Sequence, residues 1–175
     1  IDPSKHKTGG ALLGDRIRMN ALSCTRIFMR SLATRGSGSE VSAITKEALQ
    51  ILQAAEFDLI LLETSGIGQG DMQIVPLVDF SLYVMTHEYG APTQLEKIDM
   101  IDYADMIILN KFEKQGSADA LREVRRQYRR SHETDWEIPD DKLPVYGTVA
   151  SHFDSKETAY CYQEFITQLS DKFKM

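Results

Sequence analysis

Short apolar runs alternate with stretches of helical periodicity along nearly the whole chain, and this alternation constrains the fold more than any single motif does. Apolar runs at residues 26–30, 58–63, 80–85, 106–109 and 144–149 predict strands. Between them, apolar residues recur at helical spacing. Val41, Ile44, Ala48, Leu49, Ile51 and Leu52 place a helix over residues 40–55, because a 3.6-residue repeat brings them onto one face. Further helices are expected over residues 93–103, 118–130 and 156–173. The runs at 58–63 and 106–109 are almost wholly apolar, as expected for strands covered on both faces. Strands alternating with helices imply an α/β domain with a mainly parallel sheet flanked by helices.

With 175 residues, 42% of them apolar or aromatic, the chain is large enough for one core, and it is expected to form one domain over residues 1–175. The formal net charge is −6, which opposes nucleic acid as a partner, since phosphate backbones are bound by excess Lys and Arg. No apolar run reaches the roughly 18 residues of a membrane span, and no signal-peptide pattern opens the chain. Cys24 and Cys161 are the only cysteines, and they lie far apart, so a cytoplasmic location is expected. His6, His87, His132 and His152 show no ligand spacing.

In open α/β sheets the ligand crevice lies beyond the carboxyl ends of the strands, so the polar residues after each apolar run come first. Glu63-Thr64-Ser65-Gly66-Ile67-Gly68-Gln69 follows the run at 58–63. A carboxylate at a strand tip suits Mg²⁺, which takes a few carboxylates and completes its octahedron with water and phosphate oxygens. Glycine there lets backbone N–H groups approach a phosphate. A strand ending in an ordinary turn uses the same residues.

Asn110-Lys111-Phe112-Glu113 follows the run at 106–109. It is close to N-K-x-D, in which the carboxylate accepts from guanine N1–H and the exocyclic amine while the lysine packs along the base. Adenine lacks that donor pair, so the same carboxylate discriminates against ATP. Here the acid is Glu113, one methylene longer. An ordinary polar loop is the plainer reading of four residues.

Asp2-Pro3-Ser4 reads as another strand end, and residues 8–16 form a glycine-bearing loop closed by Asp15 and Arg16. Such a loop suits a switch that closes on a nucleotide; a solvent-exposed turn would look alike. Thr148-Val149-Ala150-Ser151 ends the last strand, where small residues let a backbone N–H reach a guanine carbonyl. Three features take plainer readings. The arginine-rich helix at 118–130, balanced by Asp119 and Glu123, reads as a solvated or subunit-facing surface. Trp136 reads as packing within a long loop, and His87-Glu88 as a strand cap rather than part of a switch.

Taken in order, D-P-S, T-G-G-A-L-L-G-D-R-I-R-M, R-S-L-A-T-R-G, E-T-S-G-I-G-Q and N-K-F-E resemble the MeaB/ArgK-type GTPases that act as chaperones of adenosylcobalamin-dependent mutases. The resemblance covers nearly the whole chain. Within that family, the stretch from Glu88 to Met100 is similar to the version fused into an isobutyryl-CoA mutase polypeptide. The resemblance implies a P-loop NTPase-type sheet, GTP and GDP as ligands with Mg²⁺, and adenosylcobalamin in other domains of the full protein. It implies that Asp2, Asp15 and Glu63 surround the metal, that Asn110, Lys111 and Glu113 read guanine, and that Ala150 and Ser151 lie behind the base. Gly66, Gly68 and Gln69 would form the switch loop beside the γ-phosphate, with Gln69 the candidate for orienting water.

The implied function is a GTP-hydrolysing chaperone domain that gates cobalamin loading in an acyl-CoA mutase interconverting isobutyryl-CoA and n-butyryl-CoA. Its partners would be the mutase and B12-binding domains of the same polypeptide, in a homodimer. Two other readings stand beside it: a non-hydrolysing, nucleotide-dependent interaction module, and a stand-alone metallochaperone of another metalloenzyme. No G-x-x-x-x-G-K-[ST] occurs in these residues. The expectation is therefore a chain that starts after the first strand, phosphate loop and first helix, and that is inactive as a GTPase alone.

Overall fold

A computed structural model describes residues 1, 24–33, 41–42, 44–64, 72–152 and 154–174, with backbone alone at 92 and 93. They fall into two compact units, residues 1–78 and 79–175.

In the first unit, helix α1 spans Thr45–Ala54, inside the stretch that periodicity marked. It ends in a Schellman turn: the N–H groups of Glu56 and Phe57 donate to the carbonyls of Gln53 and Leu52. Glu56 takes the left-handed conformation at φ 56°, where glycine is the usual choice. Phe57 then meets Phe28, ring centroids 6.4 Å apart. The strands expected at 26–30 and 58–63 do not form among the described residues. A strand exists only when a neighbour takes up its N–H and C=O groups, and here neither segment joins a ladder. Residue 63 accepts one bond at its carbonyl, from the Ile1 amino group, and Leu59 and Leu61 are exposed.

The second unit carries a parallel sheet in the order β1 (Leu82–Thr86), β2 (Met106–Asn110), β3 (Val145–Gly147). Leu82 pairs with Met106 and Thr86 with Asn110, while Ile107 pairs with Val145 and Leu109 with Gly147. Parallel neighbours need crossovers. Short helices α2 (Pro92–Leu95) and α3 (Met100–Tyr103) link β1 to β2, α4 (Ser117–Ser131) links β2 to β3, and α5 (Lys156–Phe173) follows β3. At the other end of the sheet, the Ser81 N–H donates to Asp105 Oδ2 at 2.8 Å and fixes the start of β1 beside that of β2.

The central strand is buried on both faces, with Met106, Ile107 and Leu109 all at 0% exposure. Ala120, Val124 and Tyr128 of α4 are buried at four-residue spacing, the stripe an amphipathic helix turns to a core. Cys161 packs with Met106 and Tyr146, against Phe80, Ile108 and Phe165. Helix α5 starts where Ser155 Oγ accepts from the Thr158 N–H at 3.2 Å, an N-cap that satisfies an otherwise unpaired donor.

Three expectations change. The helix expected over 93–103 is broken in two, because its buried residues Leu95, Ile98, Ile101 and Ala104 recur every third position. The backbone follows with i to i+3 bonds from Ile98 N to Leu95 O and from Ile101 N to Ile98 O, a tighter winding than the α-helix. The arginines of α4 do not all form a solvated surface. Arg122 and Arg126 pair outward with Asp119 and Glu123, but Arg125 donates to Val145 O at 3.0 Å. Arg129 is 4% exposed and donates to the carbonyls of Asp135 and Ile138 and to Asp140. Trp136 is 65% exposed rather than packed away, and its ring lies over the Arg129 guanidinium at 5.6 Å.

Candidate functional site

The three strands of the second unit end together, and the residues just past those ends build one cleft. Asn110, Lys111, Glu113, Lys114, Ala150 and Ser151 line it, enclosing about 350 Å³. Five of the six are residues the sequence marks as binding candidates; Lys114 is not among them. Its only sequence signal was its place after Glu113, which the motif does not include.

Asn110 closes β2, and its side chain ties the two halves of the cleft together. Oδ1 accepts from the Ala150 N–H at 3.1 Å and the Thr148 hydroxyl at 3.3 Å. The backbone ladder continues past the strands, with Thr148 N donating to Leu109 O at 2.9 Å and Phe112 N to Thr148 O at 3.0 Å. Beyond it the chain turns sharply: Lys111 has φ 57°, and its carbonyl accepts from the Lys114 N–H at 3.0 Å and the Ser117 hydroxyl at 3.4 Å. A left-handed non-glycine residue costs about 1–2 kcal/mol, so these bonds hold Lys111 where it would not settle alone. The β3 loop is held from α5 as well, by Val149 N donating to Thr158 Oγ1 at 3.4 Å.

The tip of β1 adds a charge. Thr86 Oγ1 donates to the Glu88 carboxylate at the start of a single helical turn, His87–Tyr89. That bond, then the backbone N–H of Glu88, holds its carboxyl below the usual carboxylate range, with smaller contributions from His87 and Lys111 against opposing desolvation. His87 Nδ1 is buried without a hydrogen-bond partner among the described residues, 3.7 Å from a Glu88 carboxylate oxygen.

Glu63 is exposed in the first unit. Asp2, Asp15, Gly66, Gly68 and Gln69 fall outside the described residues. Among the described residues no group of three or more His, Cys, Asp or Glu is placed to hold a metal ion. No helix among them is long and apolar enough to cross a membrane.

Chemically the cleft offers a carboxylate, two ammonium groups and backbone donors at strand tips, a set suited to a planar, hydrogen-bonding, anionic ligand. The chain is 54% identical over 172 residues to the fused isobutyryl-CoA mutase of Geobacillus kaustophilus, covering 98% of this chain and 16% of that protein. It is 54% identical over 169 residues to that of Cupriavidus metallidurans, covering 97% and 15%. Against that of Nocardia farcinica it is 50% identical over 169 residues, covering 97% and 16%. The chain thus spans about one-sixth of the length of these relatives. Residues 1–155 match the family described as methylmalonyl-CoA mutase-associated GTPase MeaB. The match covers most of the chain, and the chain belongs to the MeaB family of mutase-associated GTPases.

Proposed function

We propose that the cleft at the ends of β2 and β3 binds guanine nucleotide, and that these 175 residues belong to a GTP-hydrolysing domain gating adenosylcobalamin loading onto an acyl-CoA mutase. The observation that carries this reading is the gathering of Asn110, Lys111, Glu113, Ala150 and Ser151 around one cleft. The Glu113 carboxylate accepts from guanine N1–H and the exocyclic amine, and the Lys111 stem covers the base. The Ala150 N–H is already committed to Asn110 Oδ1, which leaves the Ser151 N–H as donor to the guanine carbonyl oxygen. A site built to satisfy a ligand's hydrogen bonds rejects one that leaves its groups unpaired, so adenine is excluded.

Hydrolysis in this class rests on positioning and on neutralising developing charge. Asp2, Asp15 and Glu63 carry the hard oxygen donors that suit Mg²⁺, which when bound neutralises phosphate charge. Gly66 and Gly68 leave the backbone free to approach the γ-phosphate, and Gln69 orients water. In the full polypeptide the mutase and B12-binding domains are the partners, the assembly is a cytoplasmic homodimer, and the radical isomerisation of isobutyryl-CoA belongs to those other domains.

Calorimetric titration of Mg·GTP and Mg·ATP into the longest polypeptide carrying this chain tests the reading. GTP binding with little ATP binding is expected, and Glu113→Asp keeps or sharpens that preference. Equal binding of the two nucleotides, or none, overturns it. In the same protein Gln69→Ala slows GTP turnover more than it weakens GTP binding. Selective binding without turnover would favour a relay module over a GTPase.

A further inference from the structure

The turn that follows β2 is held from several sides. Lys111 takes the left-handed conformation at φ 57°, and its carbonyl accepts from the Lys114 N–H at 3.0 Å and the Ser117 hydroxyl at 3.4 Å. Between them the Phe112 N–H donates to Thr148 O, and the Phe112 ring lies on the Gly147 backbone. Gly116 then turns the chain into α4 at φ 87°. With Phe112 committed to β3, its neighbours Lys111, Glu113 and Lys114 are left to line the cleft.

On α4, Arg122 pairs with Asp119 and Arg126 with Glu123, and Lys172 of α5 pairs with Asp105. The charges of the cleft are not neutralised in this way. The side chains of Lys111, Glu113 and Lys114 make no ion pair or hydrogen bond with any described residue, one another included. In the guanine-binding reading Lys111 and Glu113 are both engaged with the base, which leaves Lys114 as the spare cation. A carboxylate set to accept from a base also repels the phosphates that arrive with it. Lys111 and Glu113 offset each other in charge, so Lys114 is what makes this lining net positive, on a chain whose formal net charge is −6. Charge of one sign lining a cleft raises the local concentration of an oppositely charged ligand and speeds its capture.

We propose that Lys114 is a capture residue: its ammonium offsets the field of Glu113 and draws the polyphosphate of an approaching guanine nucleotide toward the cleft, setting the association rate without reading the base. The proposal rests on the guanine-binding reading and adds to it a residue outside the base-reading motif. A charge at the rim of a site acts on the association rate and its salt dependence, whereas a buried contact acts on dissociation.

The test is stopped-flow mixing of the longest polypeptide carrying this chain with GDP that bears a fluorescent N-methylanthraniloyl group on its ribose. At an ionic strength of about 10 mM, where a charge is felt over about 30 Å, Lys114→Gln is expected to slow association about three- to fivefold and to leave dissociation within about twofold. At about 1 M, where screening shortens that reach to about 3 Å, the association rates of the two proteins converge. Lys114→Arg stays within about twofold of the unaltered protein at both ionic strengths, because the field needs only the charge. Equal association rates for Lys114→Gln and the unaltered protein at low ionic strength overturn the proposal while leaving the guanine site standing. So does a loss that persists at high salt, or one carried by faster dissociation, since either marks a direct contact in place of a field. Failure of the unaltered protein to bind GDP removes the guanine reading and this proposal with it.

Discussion

The Phe112 ring lies against the backbone of Gly147 so closely that a Cβ on Gly147 would stand 2.6 Å from Phe112 Cδ2. Real side-chain carbons do not approach that near, so the ring occupies space that only glycine leaves open. The contact joins the tip of β2 to the end of β3, the two strands that frame the cleft. Gly147→Ala forces either the ring or the strand to move, and overpacking of this kind costs about 1–3 kcal/mol. Urea unfolding is expected to show that loss, and adding Phe112→Ala on the same chain recovers part of it. A Gly147→Ala protein as stable as the parent would show that the ring yields freely.

Asn110 offers a second handle. Its Oδ1 is the acceptor for both the Ala150 N–H and the Thr148 hydroxyl. Asn110→Ala removes that acceptor and costs about 1 kcal/mol of stability, the usual net value of such a bond. The larger effect falls on the cleft, whose far wall is no longer tied. Affinity for GDP is expected to drop about tenfold or more, corresponding to about 1.4 kcal/mol or more. Asn110→Asp keeps an acceptor at the same place and recovers stability better than alanine does. Equal unfolding midpoints for the two variants would remove the tether from the account.

Arg129 is buried inside a helix that composition alone marks as surface. Its guanidinium serves two backbone carbonyls and Asp140, closing the loop that carries Trp136. Arg129→Ala leaves those carbonyls short of a donor and costs about 2–3 kcal/mol, as for hydrogen bonds made by charged groups. Arg129→Lys rescues little, because a point charge cannot reproduce the planar fork. Trp136 fluorescence reports whether the loop loosens, and an emission maximum unmoved in Arg129→Ala would argue against the clamp.

The core predicts a pH dependence with a definite sign. Burial pushes the Cys161 thiol above its ordinary 9.0, and pushes Tyr128 and Tyr146 above 10.0, with Glu164 adding to the rise at Tyr146. In each case the folded chain keeps a proton that the unfolded chain gives up. The stability these groups contribute is therefore fully present below their unfolded values, and it is lost as pH rises through the folded ones. Denaturation midpoints are expected to hold level in neutral solution and to fall from about pH 9 upward. Tyr146→Phe makes that alkaline fall shallower; parallel limbs for the two proteins would rule Tyr146 out as a contributor.

Much of the fold and part of the candidate site were legible from local pattern. Helix α5 begins at Lys156 and ends at Phe173, the bounds its periodicity predicts, and β2 lies where residues 106–109 form an apolar run. A helix is made of contacts three and four residues apart, and a doubly covered strand announces itself by continuous apolar character, so both are written into short windows. Asn110, Lys111 and Glu113 were visible for the same reason, as polar residues at the end of such a run.

Partnership between distant residues was decided only by the tertiary structure. Residues 26–30 and 58–63 carry strand-like sequence but join no ladder among the described residues, because strand formation depends on a neighbour that no short window contains. Ala150 meets Asn110 across 40 positions, and Arg125 and Arg129 turn inward because carbonyls of β3 and its preceding loop wait there. Gly147 looked like any glycine until the sheet brought the Phe112 ring onto it. Sequence sets which groups each segment presents on each face; the pairing of parallel strands decides which of those groups meet, and the cleft consists of such meetings.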